Sequence, residues 1–201
     1  MTSARYIVFE GAEGCGKSTQ AARLAERLDA VLTRETGGTD IGVQLRAILH
    51  DTSNEHLDDR AEALIVAADR AQHLAAVVRP ALDAGRTVVS DRSVFSTLAY
   101  QGYGRGLDVD EVRRINDWAL DGIWPDLVIF LDTPEEQIAE RMASRRLDRF
   151  EAAGASFHQR VLDGFREMAA ADPDRWVTVA AVGSIDDVAD QIAEAIEGMA
   201  R

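Results

Sequence analysis

Arg5-Tyr6-Ile7-Val8-Phe9-Glu10-Gly11-Ala12-Glu13-Gly14-Cys15-Gly16-Lys17-Ser18-Thr19 decides how the chain folds. A short apolar run with β-branched and aromatic residues enters a glycine-rich turn. Lys-Ser-Thr then opens a helical pattern carried by Ala22, Leu24, Ala25 and Leu28. This is strand, loop and helix built on the phosphate-loop pattern G-x-x-x-x-G-K-[ST]. Glycines at 11, 14 and 16 give the backbone conformations closed to other residues, so successive N–H groups can turn inward around phosphate oxygens. The helix adds its unpaired N-terminal donors and the positive end of its dipole. Lys17 supplies a point charge for the terminal phosphates, and the Ser18 hydroxyl suits Mg²⁺. Gly11, Ala12, Glu13, Gly14, Cys15, Gly16, Lys17, Ser18 and Thr19 are therefore the expected nucleotide-binding set. Lys17 is the only lysine in the chain, and every other permanently basic side chain is an arginine. A compact ammonium is kept at the one place where phosphate geometry asks for it.

Outward from this loop, Ala30 to Glu35 reads as a second strand broken by Gly37-Gly38-Thr39, with a helix after it through Ile41, Leu45, Ile48 and Leu49. The spacing of Ala61, Leu64, Ile65, Ala68, Ala71, Leu74 and Val78 predicts a helix over about 58–79, ended or kinked by Pro80. Thr87 to Ser90 is a buried strand ending at Asp91-Arg92. Helical patterns follow at about 93–101 and 109–120, the second with Asp108 and Glu111 placed as in a capping box. Leu127 to Leu131 is an apolar strand, and Thr133-Pro134-Glu135-Glu136 opens another helix. Trp176 to Val182 and an amphipathic helix from Ser184 to about Met199 close the order.

Strands that are apolar on both faces and alternate with helices imply a five-stranded parallel sheet covered on both sides, a three-layer α/β P-loop NTPase fold. Ligands in such sheets bind beyond the carboxyl ends of the strands. Gly11 to Ser18, Arg34-Glu35, Asp91-Arg92 and Asp132 should therefore share one edge.

With 201 residues and no repeat or linker, the chain reads as a single domain over 1–201. A net charge of −13 argues against general affinity for nucleic acid or an anionic membrane. Any anionic ligand must be held by clustered arginines and a metal ion. The single cysteine, Cys15, excludes an internal disulfide, its place in the loop reads as steric, and a cytoplasmic home is the expectation. His50, His56, His73 and His158 lack metal-ligand spacing.

Four stretches together resemble the thymidylate kinase family of nucleoside monophosphate kinases. They are Phe9-Glu10-Gly11 with its loop, Arg34-Glu35-Thr36-Gly37-Gly38-Thr39, Asp91-Arg92 with Ser96-Thr97-Leu98-Ala99-Tyr100-Gln101-Gly102, and Leu147-Asp148-Arg149-Phe150-Glu151. The resemblance implies transfer of the γ-phosphoryl of ATP to thymidine monophosphate with Mg²⁺, and a homodimer for which the 58–79 helix is a candidate surface. It places Lys17, Arg34 and Arg92 at the transferring group and Asp91 with Ser18 at the metal. Glu10 falls near the sugar 3′-hydroxyl, Arg46 near the acceptor phosphate, Arg70, Thr97 and Gln101 on the pyrimidine edge, and Tyr100 against a 2′-hydroxyl. Residues of about 141–155 resemble the family's basic lid, as in the bacterial subclass that has a non-arginine residue at Gly14. Arg145 or Arg149 would then act as an arginine finger.

The chain departs from the family pattern at the base. Val66 stands where the family stacks an aromatic ring, Ser93 where tyrosine is common and Thr36 where proline is common. Two alternatives remain open from sequence. One is a kinase of another deoxynucleotide or deoxynucleoside, for example dUMP. The other is a nucleotide-dependent switch, against which the absence of an Asn-Lys-x-Asp stretch counts.

Overall fold

The computed structural model describes residues 4–142 and 148–199. Strand β1 (Tyr6–Gly11) leads into α1 (Lys17–Leu28), then β2 (Val31–Arg34), α2 (Asp40–His50) and α3 (Asp59–His73). Pro80 does not end this helical stretch. The backbone widens into a π turn over Leu74–Val78 and resumes as α4 (Arg79–Asp83), with Pro80 in its first turn. A proline lacks an N–H that such a first turn leaves free of an α-type bond, and the wider turn before it relieves the ring's steric demand.

Next come β3 (Val88–Asp91), α5 (Val94–Thr97) continued by a second π stretch over Leu98–Gly104, and α6 (Val109–Leu120). Asp108 Oδ1 accepts from Glu111 N at 2.9 Å, the half of the predicted capping box that fixes the start of α6. Then follow β4 (Leu127–Asp132), α7 (Glu135–Met142), α8 (Ala155–Ala171), β5 (Trp176–Ala180) and α9 (Ile185–Met199).

The five strands form one parallel sheet in the order β2-β3-β1-β4-β5. Period-two alternation explains why both faces are covered. Tyr6, Val8, Val88, Val128 and Phe130 pack on one face against Leu74, Leu98 and Phe165. Ile7, Phe9, Val89, Ile129 and Leu131 face the other way, against α1 and α9 through Ala21, Leu24, Val188 and Ile192. Each such aliphatic or aromatic side chain withdrawn from water contributes about 1.5–3 kcal/mol.

Strand β1 lies between β3 and β4, where connections leave to opposite sides, and the crevice beyond its carboxyl end is where this topology places a ligand. Among the described residues no helix is long and apolar enough to cross a membrane.

Candidate active site

The loop after β1 depends on glycine at two positions in particular. Gly11 has φ +146°, and a Cβ there would lie 2.8 Å from Leu131 O and 2.9 Å from Cys15 Sγ. Gly16, at φ +100°, caps α1 without a side-chain hydrogen bond, so the first amides of α1 remain available to a ligand. Cys15 is buried in the apolar layer beneath the loop. Lys17 Nζ donates to the carbonyls of Ala12 (2.7 Å) and Gly11 (3.1 Å). Ser18 Oγ donates to Asp91 Oδ2 at 2.5 Å, while Asp91 Oδ1 is buried and has no hydrogen-bond partner.

Arg92 directly follows β3 in a left-handed conformation (φ 75°), unusual for a side chain with a Cβ and typical of residues aimed by a site. Its amide donates to Phe9 O at 2.9 Å, which fixes that turn to β1. The guanidinium donates to Glu13 Oε1 at 2.5 Å and Ser96 Oγ at 2.8 Å and lies over the Tyr100 ring. Burial alone would raise the Glu13 carboxyl, but Arg92 and Lys17 outweigh it and hold it at about 2.

Arg46 donates to Thr36 O at 3.2 Å and has no carboxylate partner among the described residues. Burial first, then the neighbouring Arg34 and Arg92 cations, pull its pKa down. Arg34, at the end of β2, likewise has no carboxylate partner among the described residues.

These groups line a cavity of about 430 Å³. Gly14, Gly16, Lys17, Ser18 and Thr19 form its loop end. Six basic side chains (Lys17, Arg34, Arg46, Arg70, Arg92 and Arg141) face three carboxylates (Glu13, Glu35 and Asp91). In a chain of net charge −13 this is a concentrated positive site, suited to a polyanion.

The far end is apolar on Leu49, Val66, Tyr100 and Phe150, and polar on Arg70, Thr97 and Gln101. Arg70 is fully buried. It donates to Glu35 Oε2 (2.9 Å), Ser93 O (3.0 Å), Thr97 Oγ1 (2.9 Å) and Asn116 Oδ1. His73 is wedged between Glu35 Oε1 (3.0 Å) and Thr33 Oγ1 (2.7 Å). Burial alone would raise Glu35, yet Arg70 and His73 keep it below its usual range.

Three residues singled out from the sequence lie outside the cavity lining. Glu10 does not reach the cavity: it is fully buried, accepting from Ser93 Oγ (2.7 Å), Ser96 N (3.2 Å) and Ser96 Oγ (2.6 Å), so it fixes the α5 start to β1. Glu13 is the acid of the loop that lines the cavity. Arg149 also points elsewhere, donating to Leu49 O (2.8 Å) and Glu62 Oε2 (2.5 Å). Asp132 ends β4 at the expected edge of the sheet, where it pairs with Arg166 at 3.0 Å and does not line the cavity. Arg145 lies outside the described residues.

Lining residues given no site role from the sequence include Leu49, His50, Phe150 and Arg141, whose Nη1 donates to Gly14 O at 3.2 Å. A signal for Phe150 existed in Asp148-x-x-Glu151. Asp148 Oδ1 accepts from Glu151 N, and Glu151 Oε2 accepts from Asp148 N, both at 2.9 Å, a reciprocal capping box that fixes the turn.

A parallel sheet, a phosphate loop at its switch point and a cationic cavity facing that loop define a P-loop protein built to bring two phosphate-bearing molecules together. The thymidylate kinase family model matches residues 9–192. Thymidylate kinases of Nitratidesulfovibrio vulgaris and Solidesulfovibrio magneticus are 44% and 46% identical, over 96% and 93% of this chain and 96% of each relative. The crystal structure of thymidylate kinase from Ehrlichia chaffeensis superposes with a TM-score of 0.79 at 30% identity, covering 98% of this chain and 99% of that one. The chain belongs to the thymidylate kinase family.

Proposed function

We propose that the protein phosphorylates thymidine monophosphate to the diphosphate with ATP, in dTDP biosynthesis. The observation that carries this reading is the crowding of Arg34, Arg46 and Arg92 opposite the phosphate loop, with Glu13 the only carboxylate among the described residues paired to one of them. Burial and the neighbouring Arg34 and Arg92 cations depress the proton affinity of Arg46; an anion set among the three relieves that repulsion, and a nucleotide's phosphate is such an anion.

An acceptor phosphate carries anionic oxygens near neutral pH, so no general base is required. Catalysis then rests on alignment and charge neutralisation. Lys17 and the α1 amides hold the donor's β- and γ-phosphates. Arg92 and Arg34 approach the transferring group from the acceptor side, and Arg46 holds the acceptor phosphate. Arg141, already against Gly14 O, adds a cation over the loop. Arg70, Thr97 and Gln101 face the base edge, and Tyr100 lies where a ribose 2′-hydroxyl would have to fit.

The donors for Mg²⁺ fit that ion: a serine hydroxyl beside a carboxylate whose second oxygen is buried and orphaned, both hard oxygen ligands. Once bound, Mg²⁺ neutralises charge on the donor phosphates. A homodimer is also part of this reading, supported by exposed Ile41, Ile48, Leu64 and Trp118 on α2, α3 and α6.

The test is an ADP-release assay with a panel of acceptors. Thymidine monophosphate should be turned over faster than uridine monophosphate and thymidine. Equal rates with the ribonucleotide would remove the Tyr100 assignment, and ADP release independent of any acceptor would remove the function. Sedimentation at micromolar concentration should give twice the chain mass, and a monomer there would remove the dimer.

A further inference from the structure

Glu62 does not line the cavity, yet it holds a residue that does. It is completely buried on α3, and its carboxylate is the meeting point of three side chains from distant stretches. Oε1 accepts from Gln101 Nε2 at 2.7 Å and from Arg105 Nε at 3.2 Å. Oε2 accepts from Arg105 Nη2 at 3.0 Å and from Arg149 Nη2 at 2.5 Å. A carboxylate between two guanidiniums offers only lone pairs, so only the nitrogen end of the Gln101 amide can turn toward it. The oxygen end, Gln101 Oε1, accepts from no described residue, and Gln101 lines the cavity beside Arg70 and Thr97.

We propose that Glu62 is the positioning residue that sets acceptor-base selectivity: by fixing the Gln101 amide it presents a hydrogen-bond acceptor to the base, and so selects a ring that offers an N–H there. This inference rests on the thymidine monophosphate reading. Thymine and uracil carry a ring N–H between their two carbonyls. Cytosine carries a lone pair at the same ring position and meets the Gln101 oxygen with repulsion.

The same carboxylate extends the choice to the root of the lid. Arg149 also donates to Leu49 O, and Asp148 accepts from His50 Nδ1 at 2.6 Å. Residues 148–150 are thus anchored on α2 and α3 by the group that orients Gln101, and Phe150 is set in the cavity wall by that anchoring.

The experiment compares kcat/KM for thymidine monophosphate with kcat/KM for deoxycytidine monophosphate in the wild type and in Glu62→Gln. A glutamine at 62 can donate to Gln101 Oε1 and let the amide turn over, so the ratio should fall about tenfold, the worth of one neutral hydrogen bond. Loss of packing alone would lower both values together and leave the ratio in place. Arg105 keeps Asp59 at 3.4 Å, and Arg149 keeps Leu49 O and the Phe150 ring, so neither cation is stranded in this variant.

Glu62→Asp retains the charge but withdraws it by one methylene from Gln101. Should Glu62→Gln fail to fold, a fall in the ratio for Glu62→Asp supports the assignment and an unchanged ratio overturns it. Both variants transferring phosphate with the wild-type ratio would overturn it outright. A wild type that leaves thymidine monophosphate unphosphorylated would instead overturn the functional reading beneath it.

Discussion

The two ends of the cavity are built in opposite ways. The donor end comes from one contiguous stretch, Gly11 to Thr19, and grips with main-chain amides and a single ammonium. The acceptor end is assembled from β2, α2, α3, β3, α5 and the residues after it, and grips with side chains, of which Arg70 and Gln101 are themselves held by the buried carboxylates of Glu35 and Glu62. Amides placed by backbone geometry require little from the rest of the chain. A fully buried guanidinium such as Arg70 requires a partner, and the removal of one strands the other. The donor end should therefore lose chemistry when mutated, and the acceptor end should lose stability or selectivity as well.

The largest effect expected is Lys17→Met, a drop of about three orders of magnitude in kcat with an unchanged melting curve, read by coupled assay and calorimetry. Turnover within tenfold of wild type would break the contrast at its donor side. Arg70→Met comes next, at the acceptor side. It leaves Glu35 buried with only His73, and about 3–5 kcal/mol of stability should be lost in denaturant unfolding, with acceptor binding lost alongside. A stable protein with intact acceptor affinity would contradict the buried-partner account.

Val66→Phe sharpens the comparison further. Residue 66 lines the apolar wall, and a ring there should lower the KM for thymidine monophosphate about two- to tenfold while leaving the KM for ATP alone. An equal change in both constants would deny that the wall belongs to the acceptor.

The smallest effect concerns the lid root. Burial alone would raise the Asp148 carboxyl, but bonds from His50 and from the amides of Glu151 and Phe150 hold it at about 2. The folded value thus lies below the unfolded value of about 3.9, so acid protonates the unfolded chain first. Asp148 therefore contributes stability above pH 4 and loses it as the pH falls toward 2. The gap in unfolding free energy between wild type and Asp148→Asn, about 1 kcal/mol or less for this part-exposed pair, should close over that range in denaturant titrations. A gap that held steady down to pH 2 would count against the anchor.

What was legible in the sequence follows the same division. The loop and the sheet could be read because both are local: Gly11 and Gly16 mark left-handed or crowded backbone, and strands such as Leu127 to Leu131 are apolar on both faces. The directions taken by Glu10 and Arg149 were not legible, because adjacency along the chain does not tell which way a side chain leaves it. Glu10 precedes the loop by one residue, but strand alternation sends it to the serines at the start of α5. Arg149 sits beside Phe150 in sequence, and the capping turn of Asp148 and Glu151 sends the ring to the cavity and the arginine to Glu62. The π turn before Pro80 was invisible for a related reason, since apolar spacing of three to four residues does not distinguish it from an α-helix.

The solitary lysine folded onto Gly11 O and Ala12 O has a practical side. Reagents that acylate side-chain amines meet a single target in this polypeptide, and it sits at the heart of the nucleotide cradle. Attaching the protein to a sensor surface or a dye through such chemistry would inactivate the molecules it labels at Lys17, and the extent of labelling with and without ATP would count the occupied cradles.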